Sequence, residues 1–475
     1  MDYRLLTIDF TTMLSFFRIN ANYQWISLIV LLGLIRLPLL FFPSQLLIPE
    51  LQWMLVGEKM GQGFMLYRDI WDSISPFSAV AYWSVDAVFG RSQSMFQVIA
   101  AVVAISQALY FNHLANSRQF YKERTYIPGL IYIVFINLSS DFNTLSPALM
   151  ATTFLLLAFG TLTKQIQKDG NAESVFEIGF YLSVATLFYL PSAVFLLWLF
   201  LCLLIYTGAN IRQHILALFG FIFPIALVVM LFFFQNSLQY FNRNLLASIF
   251  KVRAYKLDDF VSVIIAFLIP VAVGIIGFFR TVAHGRYLNF QIKCQQIMMI
   301  WFITAVFSVV LMSFLLPMQF IIFVPALAFF TVHLFFLFRK VLVAEIVFTG
   351  LMATILLINF KDIPSVLGKK NNIQKAQLLP DYIKNQKILV IGENEGEYRN
   401  NVLATPYLNW DLAKYDLQNV EDYESVISIY DSFTSDPPTY IIDKVNVMSK
   451  IFRHLPELSK KYKPTAQKGI YKRVG

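Results

Sequence analysis

The chain has 475 residues, of which 57% are hydrophobic, 16% aromatic and only 14% charged. Because soluble domains carry about 25% charged residues, this composition excludes an ordinary soluble protein and predicts an integral membrane protein. The net charge of +9 comes largely from Lys and Arg in short loops beside apolar runs, so it indicates membrane topology and not a nucleic-acid partner.

Eleven apolar runs are long enough, with flanking residues, to cross a bilayer, which takes about 20 residues. They are 25–43, 94–112, 126–138, 145–163, 175–190, 191–208, 214–235, 259–279, 296–316, 319–338 and 341–359. Beyond residue 360 the composition becomes that of a soluble protein. We therefore expect a polytopic α-helical membrane domain over residues 1–362 and a soluble C-terminal domain over residues 363–475.

A further apolar segment, 77–89, is shorter and contains Asp86. If this segment does not cross and the N-terminus is cytoplasmic, most of the basic loops fall on the cytoplasmic side, as the positive-inside rule prefers. We therefore expect a re-entrant or surface helix within one large external loop, 44–93. Such a helix is expected to line a cavity, because a short segment at membrane depth must be buried in protein or face water. The predicted location is a bacterial inner membrane, with the C-terminal domain in the periplasm.

The C-terminal domain alternates strand-like and helix-like segments. Strands are predicted at 387–392, 439–443 and 469–474, with helices at 419–433 and around 446–461. In the first helix, Val420, Tyr423, Ile427 and Tyr430 share one face. This alternation predicts a small α/β domain.

Acidic residues of the predicted external segments are the first candidates for chemistry. Glu50 follows a proline just beyond the first apolar run, and Asp141 lies in a second external turn. Asp69 and Asp72 are spaced to share one helical face. Carboxylates that converge from separate loops supply a general base or bind a divalent metal ion, although helix capping would explain Asp72 equally well. No metal ligand set or cofactor is assigned.

Basic residues are the candidates for binding an anion. The predicted external loop 236–258 contains Arg243, Lys251, Arg253 and Lys256, where positive charge is usually scarce. The loop is either a cradle for a lipid phosphate or a set of solvated side chains near the headgroups. Arg36, within the first apolar run, either has an internal partner or extends to the interface.

The stretch from Glu50 to Pro76 resembles the first external loop of GT-C glycosyltransferases, the branch of the protein O-mannosyltransferases and of the aminoarabinose transferase that modifies lipid A. That family has an acidic residue just after the first membrane helix, then a G-x-x-x-Y-x-D stretch, present here from Gly63 to Asp69. A helix ending in Phe-Gly follows, matched by Phe89-Gly90, and Asp141 ahead of Pro147 matches a further acidic position.

The resemblance implies transfer of a sugar from a polyprenyl-phosphate donor to a protein, lipid or glycan acceptor at the outer membrane face. Glu50 would be the general base or would orient the acceptor, with Asp141 and Asp69 as further catalytic candidates. Arg68 and Asp72 would bind substrate, and the basic loop would hold the departing lipid phosphate. A C-terminal α/β domain outside the cytoplasm also occurs in many members.

Two departures from the family pattern leave other functions open. Pro49-Glu50 replaces the usual Asp-Glu pair, and Pro76-Phe77 replaces a Pro-Pro or Pro-Leu turn. Because a fold does not guarantee its chemistry, the chain is either an enzyme of this type, a non-catalytic subunit of a cell-surface or secretion assembly, or a transporter of a lipid-linked substrate.

Overall fold

The structure, a computed structural model, is a bundle of apolar helices with a small sheet domain at its C-terminal end. It describes residues 12–41, 46–167, 171–247, 257–283, 287–311, 316–338, 340–360, 380–392 and 396–474. The predicted domain boundary between residues 362 and 363 lies outside the described residues.

The described residues before position 361 form fifteen α-helices. In chain order they are α1 Met13–Arg18, α2 Gln24–Phe41, α3 Ile48–Gly61, α4 Pro76–Phe89, α5 Gln93–Ser117, α6 Ile127–Phe135, α7 Pro147–Ile166, α8 Ala172–Phe188, α9 Phe195–Cys202, α10 Ile211–Phe234, α11 Leu238–Phe241, α12 Leu257–Ala283, α13 Asn289–Val310, α14 Val324–Leu337 and α15 Val341–Phe360. Each of the eleven predicted runs overlaps one of these helices.

Six helical segments in the described part of the chain are long and apolar enough to cross a membrane. They are Gln93–Ser117, Pro147–Ile166, Leu190–Thr207, Ile211–Phe234, Asn289–Val310 and Pro317–Leu337, and shorter apolar helices cover Gln24–Pro38, Phe267–Thr281 and Val341–Leu357. The chain is therefore a multi-pass membrane protein, and the predicted fold class is confirmed.

Helices α3 and α4 pack against each other and are too short to span a bilayer. Each has 14 residues, a length of about 21 Å at 1.5 Å per residue, against a hydrocarbon core of about 30 Å. Gly57 of α3 sits against the α4 backbone, because a Cβ there would lie 2.6 Å from the Tyr82 carbonyl oxygen. The Tyr82 ring stacks between Trp53 and Phe96, which fixes α3 and α4 against α5.

The C-terminal domain is a mixed five-stranded sheet with short helices. Its strands are β1 Lys387–Ile391, β2 Val402–Leu403, β3 Tyr440–Asp443, β4 Tyr462–Pro464 and β5 Ile470–Arg473, in the order β2-β1-β3-β5-β4. The pairs β1/β2 and β1/β3 are parallel, and β3/β5 and β4/β5 are antiparallel. The helices are α16 Trp410–Gln418, α17 Tyr423–Ser435, α18 Met448–His454 and α19 Pro456–Lys461.

The sheet domain is attached to the segment between α3 and α4 by backbone hydrogen bonds and an aromatic side chain. The Trp71 N–H donates to the Pro406 carbonyl at 2.8 Å, and the Asn409 N–H donates to the Trp71 carbonyl at 3.2 Å. The Trp71 ring is buried in the sheet domain's own hydrophobic core, edge-on to Tyr407 at 5.2 Å. Residues 62–75 are therefore part of the contact between the two regions.

Helices α8 and α10 approach each other at a pair of glycines. A Cβ on Gly179 would lie 2.1 Å from the Ala217 carbonyl oxygen, and one on Gly220 would lie 2.2 Å from the Phe176 carbonyl oxygen. Since both obstacles are backbone atoms, a side chain at either position must push the helices apart.

Gly220→Ala is expected to destabilise the protein by about 1–3 kcal/mol, the usual cost of overpacking. The measurement is the thermal unfolding temperature in detergent. Gly350→Ala on α15 is the matched control, because a Cβ there meets nothing within 4 Å and alanine favours the helix. Equal melting temperatures for the two variants would contradict the close packing of α8 and α10.

Candidate functional site

The side chain of Glu50 is buried at the start of α3. It lies in the first turn of that helix and is 2% exposed. Oε1 accepts a hydrogen bond from Thr144 Oγ1 at 2.6 Å, and Oε2 accepts one from Gln93 Nε2 at 3.2 Å. Three separate segments therefore meet at this carboxylate, and the N-terminal end of α3 favours its negative form.

Burial raises the pKa of Glu50 from its ordinary value of 4.5 to about 7. The hydrogen bonds from Thr144 and Gln93 oppose this rise, and the negative charge of Asp141 adds to it. A carboxyl group with a pKa near neutrality is half ionised at pH 7, which is the condition that suits a general base.

Asp141 lies close enough to Glu50 to act on it electrostatically. It belongs to a single 3-10 turn, Ser140–Asn143, whose first residues are capped by the Ser139 hydroxyl. Thr144, which follows directly, donates to Glu50. The structure thus brings together two of the three predicted catalytic carboxylates, from the two loops in which the sequence predicts them.

A cavity of about 210 Å³ lies at the start of α3 and is lined by Pro49, the neighbour of Glu50, but not by Glu50 itself. Pro49, Gln52 and Trp53 line it together with Asn409 of the sheet domain. The other lining residues are 72–75, 147–148, 189–191, 193–194, 311, 316 and 318–319. This is smaller than the roughly 300–1,000 Å³ of most ligand pockets, so it accommodates part of a ligand. Tyr189 lines it and is 5% exposed, and its hydroxyl has no hydrogen-bond partner among the described residues.

Arg68 and Asp69 lie in a turn and Asp72 in the irregular segment after it, so the shared helical face predicted for the two aspartates is not formed. Asp69 accepts two hydrogen bonds from Arg68, at 2.8 and 2.9 Å, and one from the Met65 N–H at 2.9 Å. Asp72 is buried, accepts from the Ile74 N–H at 2.7 Å and lines the cavity. The left-handed backbone of Tyr67, with φ of 66°, turns the chain here.

Arg243 contacts the sheet domain. Its Nη2 lies 2.6 Å from Asp416 Oδ1, and its guanidinium carbon lies 4.8 Å from the centre of the Trp71 ring. The other predicted phosphate ligands, Lys251, Arg253 and Lys256, lie outside the described residues. The phosphate-binding role of this loop stays a prediction.

Sequence reasoning missed a second buried cluster, which holds the sheet domain against α3. Lys59 is 1% exposed and its Nζ lies 3.5 Å from Asp436 Oδ2. Asp436 also pairs with Lys387 and accepts hydrogen bonds from the Thr405 N–H and hydroxyl, both at 2.8 Å. The one available signal was a Glu58-Lys59 pair that follows the apolar stretch 53–57.

Two further residues missed from the sequence are Gln93 and Thr144, which hold Glu50. Each begins or precedes an apolar run, so a polar side chain at that position had no distinguishing pattern. Among the described residues, no group of three or more His, Cys, Asp or Glu side chains is arranged to hold a metal ion.

Comparison with known proteins identifies a family and a fold. A family model described as "Family of unknown function (DUF6427)" matches residues 78–367, which is more than half of the chain. No curated protein matches the sequence.

Two solved structures are similar to this one. ArnT from Cupriavidus metallidurans bound to undecaprenyl phosphate has a TM-score of 0.53 at 12% identity, over 74% of this chain and 67% of that chain. The archaeal oligosaccharyltransferase AglB from Archaeoglobus fulgidus, in complex with an inhibitory peptide and a dolichol-phosphate, has a TM-score of 0.49 at 11% identity, over 95% of this chain and 74% of that chain. The likeness to ArnT shows a GT-C-like fold.

The raised pKa of Glu50 predicts a pH-dependent effect of Glu50→Gln on stability. At pH values below 4.5 the carboxyl is neutral in the folded and unfolded chain alike, so its stabilising contribution is complete. Between pH 4.5 and about 7 the unfolded chain ionises this carboxyl while the folded protein keeps it protonated, so the folded protein loses about 3 kcal/mol of stability over this range and little more above it.

Glu50→Gln, which cannot ionise, is therefore expected to melt higher than the wild type at pH 8 and close to it at pH 4. The measurement is the melting temperature in detergent across this range. Glu123→Gln, which changes an exposed partner of Arg18, is the matched control. A difference between wild type and Glu50→Gln that does not grow with pH would contradict the raised pKa.

Removing the charge of Asp436 is expected to destabilise the attachment of the sheet domain. Asp436→Asn keeps an acceptor for Thr405 but leaves Lys59 as a buried cation without a counter-charge, a change that costs about 3–5 kcal/mol. The measurements are thermal unfolding and amide hydrogen exchange at Trp71 and Asn409. Asp431→Asn, at an exposed position of α17, the helix that ends just before Asp436, should leave both unchanged, and equal behaviour of the two variants would contradict this attachment.

Proposed function

The chain belongs to the DUF6427 family, whose function is unknown, and we propose that it is a membrane glycosyltransferase of the GT-C type. It transfers a sugar from a polyprenyl-phosphate-linked donor to a protein, lipid or glycan acceptor. The observation that carries the proposal is the buried Glu50, poised to exchange a proton near pH 7 inside a fold similar to that of ArnT. That similar protein was solved bound to undecaprenyl phosphate.

In the proposed reaction Glu50 is the general base. Its carboxylate takes the proton from the acceptor group, and the freed electron pair forms the new bond to the anomeric carbon of the sugar. The bond between that carbon and the phosphate oxygen breaks, and the lipid phosphate leaves with the bonding electrons. Atoms and charge balance because one proton moves to Glu50 and one negative charge moves to the phosphate.

The neighbours of Glu50 support this role. Thr144 and Gln93 each donate a hydrogen bond to the carboxylate, so they fix its orientation while leaving each oxygen further acceptor capacity. Asp141 raises the pKa of Glu50, which increases the basicity of the ionised form. Asp69 and Arg68, which bond to each other, are proposed to shape the donor side of the site together with Asp72.

We place the site at the extracytoplasmic face of a bacterial inner membrane, with residues 1–362 as the membrane domain and 363–475 as a periplasmic domain. The support is the distribution of Lys and Arg, which groups most basic loops on the face opposite the 44–93 segment. The short helices α3 and α4 then lie at the membrane surface, where a lipid-linked donor and a water-soluble acceptor can meet.

A non-catalytic subunit with this fold is the second candidate function. The specific observation in its favour is that cations of the predicted external segments are already engaged within the chain: Arg243 by Asp416, Arg68 by Asp69 and Lys59 by Asp436. A departing phosphate needs a cation that is available to it.

The experiment is sugar transfer or release from a polyprenyl-phosphate-linked sugar by the purified full chain. Wild-type activity is expected to rise with pH through about 7, as Glu50 becomes ionised. Glu50→Gln should lower the rate at least 100-fold, within the usual contribution of a general base, while Glu123→Gln should not change it.

A Glu50→Gln rate equal to that of the wild type would refute the role of Glu50. Binding of the carrier lipid without turnover by either form would refute the enzyme and support the non-catalytic subunit. Folding of every variant is checked by its elution from size exclusion and by its melting temperature.

A further inference from the structure

Arg36 is a buried cation whose outer nitrogens are not used. It lies on α2 and is 5% exposed. Its Nε donates to Asn137 Oδ1 at 2.9 Å, but Nη1 and Nη2 have no hydrogen-bond partner among the described residues. Because a buried guanidinium without partners is costly, this arrangement calls for an anion beside it.

A cavity of about 270 Å³ lies beside Arg36, between α2 and α5. Apart from Arg36, Gln97 and Asn143, its walls are aliphatic: Ile29, Leu32 and Leu37 from α2 and Val98, Val102 and Ile105 from α5, among others. Four of these six are at the surface of the bundle, with exposed fractions of 41% for Ile29, 50% for Leu37, 41% for Val98 and 58% for Val102.

The mouth of this cavity opens sideways, toward the hydrocarbon of the bilayer. Helix α5 is one of the candidate membrane spans, and α2 contains a shorter apolar helix. Exposed aliphatic side chains on such helices face lipid. A ligand can therefore enter between α2 and α5 without passing through water.

Two residues that line the cavity are close in the chain to the partners of Glu50. Gln97 lies one helical turn after Gln93, which donates to the Glu50 carboxylate. Asn143 directly precedes Thr144, the other donor to Glu50. A group held by Arg36 would thus be next to the residues that orient the proposed general base.

We infer that the α2/α5 cavity is a lateral binding site for a polyisoprenyl phosphate, whose phosphate oxygens accept hydrogen bonds from Nη1 and Nη2 of Arg36. The paired N–H groups of a guanidinium match two phosphate oxygens in a bidentate geometry. The aliphatic walls bind the first part of the chain, and the rest extends into the bilayer.

One phosphate group matches Nη1 and Nη2 of Arg36, which are unpaired among the described residues, and the aliphatic walls match an isoprenoid chain. The choice of a polyisoprenyl carrier rests on the proposed function, and it gives the departing phosphate a cation that, unlike Arg243, has donors to spare.

The test is binding of a short polyisoprenyl phosphate to the full chain in phosphatidylcholine nanodiscs, followed by native mass spectrometry. Gly33→Leu blocks the cavity without disturbing the fold, because a Cβ at Gly33 meets nothing within 4 Å. Gly350→Leu makes the same change in another apolar helix where a Cβ also meets nothing. Gly33→Leu is expected to weaken binding at least tenfold, and Gly350→Leu to leave it unchanged.

Arg36→Met tests the cation separately. It should weaken binding at least tenfold, because hydrogen bonds to a charged group are lost, and it should raise the melting temperature of lipid-free protein by removing an uncompensated buried charge. Added polyisoprenyl phosphate should raise the melting temperature of the wild type and not that of Arg36→Met.

Three outcomes would overturn the inference. Two are binding by Gly33→Leu or by Arg36→Met that equals binding by the wild type. The third is equally strong competition from phosphatidylglycerol, which would assign the cavity to an anionic phospholipid.

Binding is measured without turnover, so its result is independent of whether the protein transfers sugar. A chain that binds at Arg36 but transfers no sugar refutes only the proposed function. A chain that transfers sugar while Gly33→Leu binds normally refutes only this site.

Discussion

The buried ion pair between Lys59 and Asp436 determines how the two regions of the molecule are joined. Both side chains are almost fully removed from water, at 1% and 3% exposure, and a buried charge is tolerated only when it is paired and hydrogen-bonded. Lys59 lies on α3, whose first turn carries Glu50, and Asp436 lies in the domain that places Asn409 at the cavity edge. The position of α3, and so of the candidate site, therefore depends on a contact made by the most C-terminal part of the fold.

Hydrophobic runs were a sufficient signal for the membrane domain but not for all of the sheet domain. Each of the eleven predicted runs overlaps a helix, because around 20 apolar residues leave few alternatives in a bilayer. The strands β2 and β4 have two and three residues, too few for an alternating pattern. In α17 the predicted face was misleading: Tyr423 and Ile427 are exposed, while Ile429 and Phe433 are buried. Apolar residues occur on several faces of this helix, so spacing alone could not identify the core side.

The candidate site was predictable where it depends on position along the chain and not where it depends on contacts. Glu50 stood out as a carboxylate beside a proline at the end of an apolar run, and Asp141 as an acidic residue in a short turn. Their partners Gln93 and Thr144 come from other segments, and which segments contact each other could not be predicted from the sequence. The shared helical face predicted for Asp69 and Asp72 was wrong. The chain turns at Tyr67, whose left-handed backbone could not be expected from the sequence because a tyrosine seldom adopts it.

The position of Trp71 also bears on how the protein is assembled. This residue comes from the first quarter of the chain, yet its ring completes the hydrophobic core of the sheet domain. During synthesis the ring emerges long before the strands that will enclose it, so it stays unburied until they are made. The last part of the chain to be made then folds around a tryptophan that is already in place. A sheet domain produced alone would have a hole where that ring belongs, so the membrane part serves as an internal template for its folding.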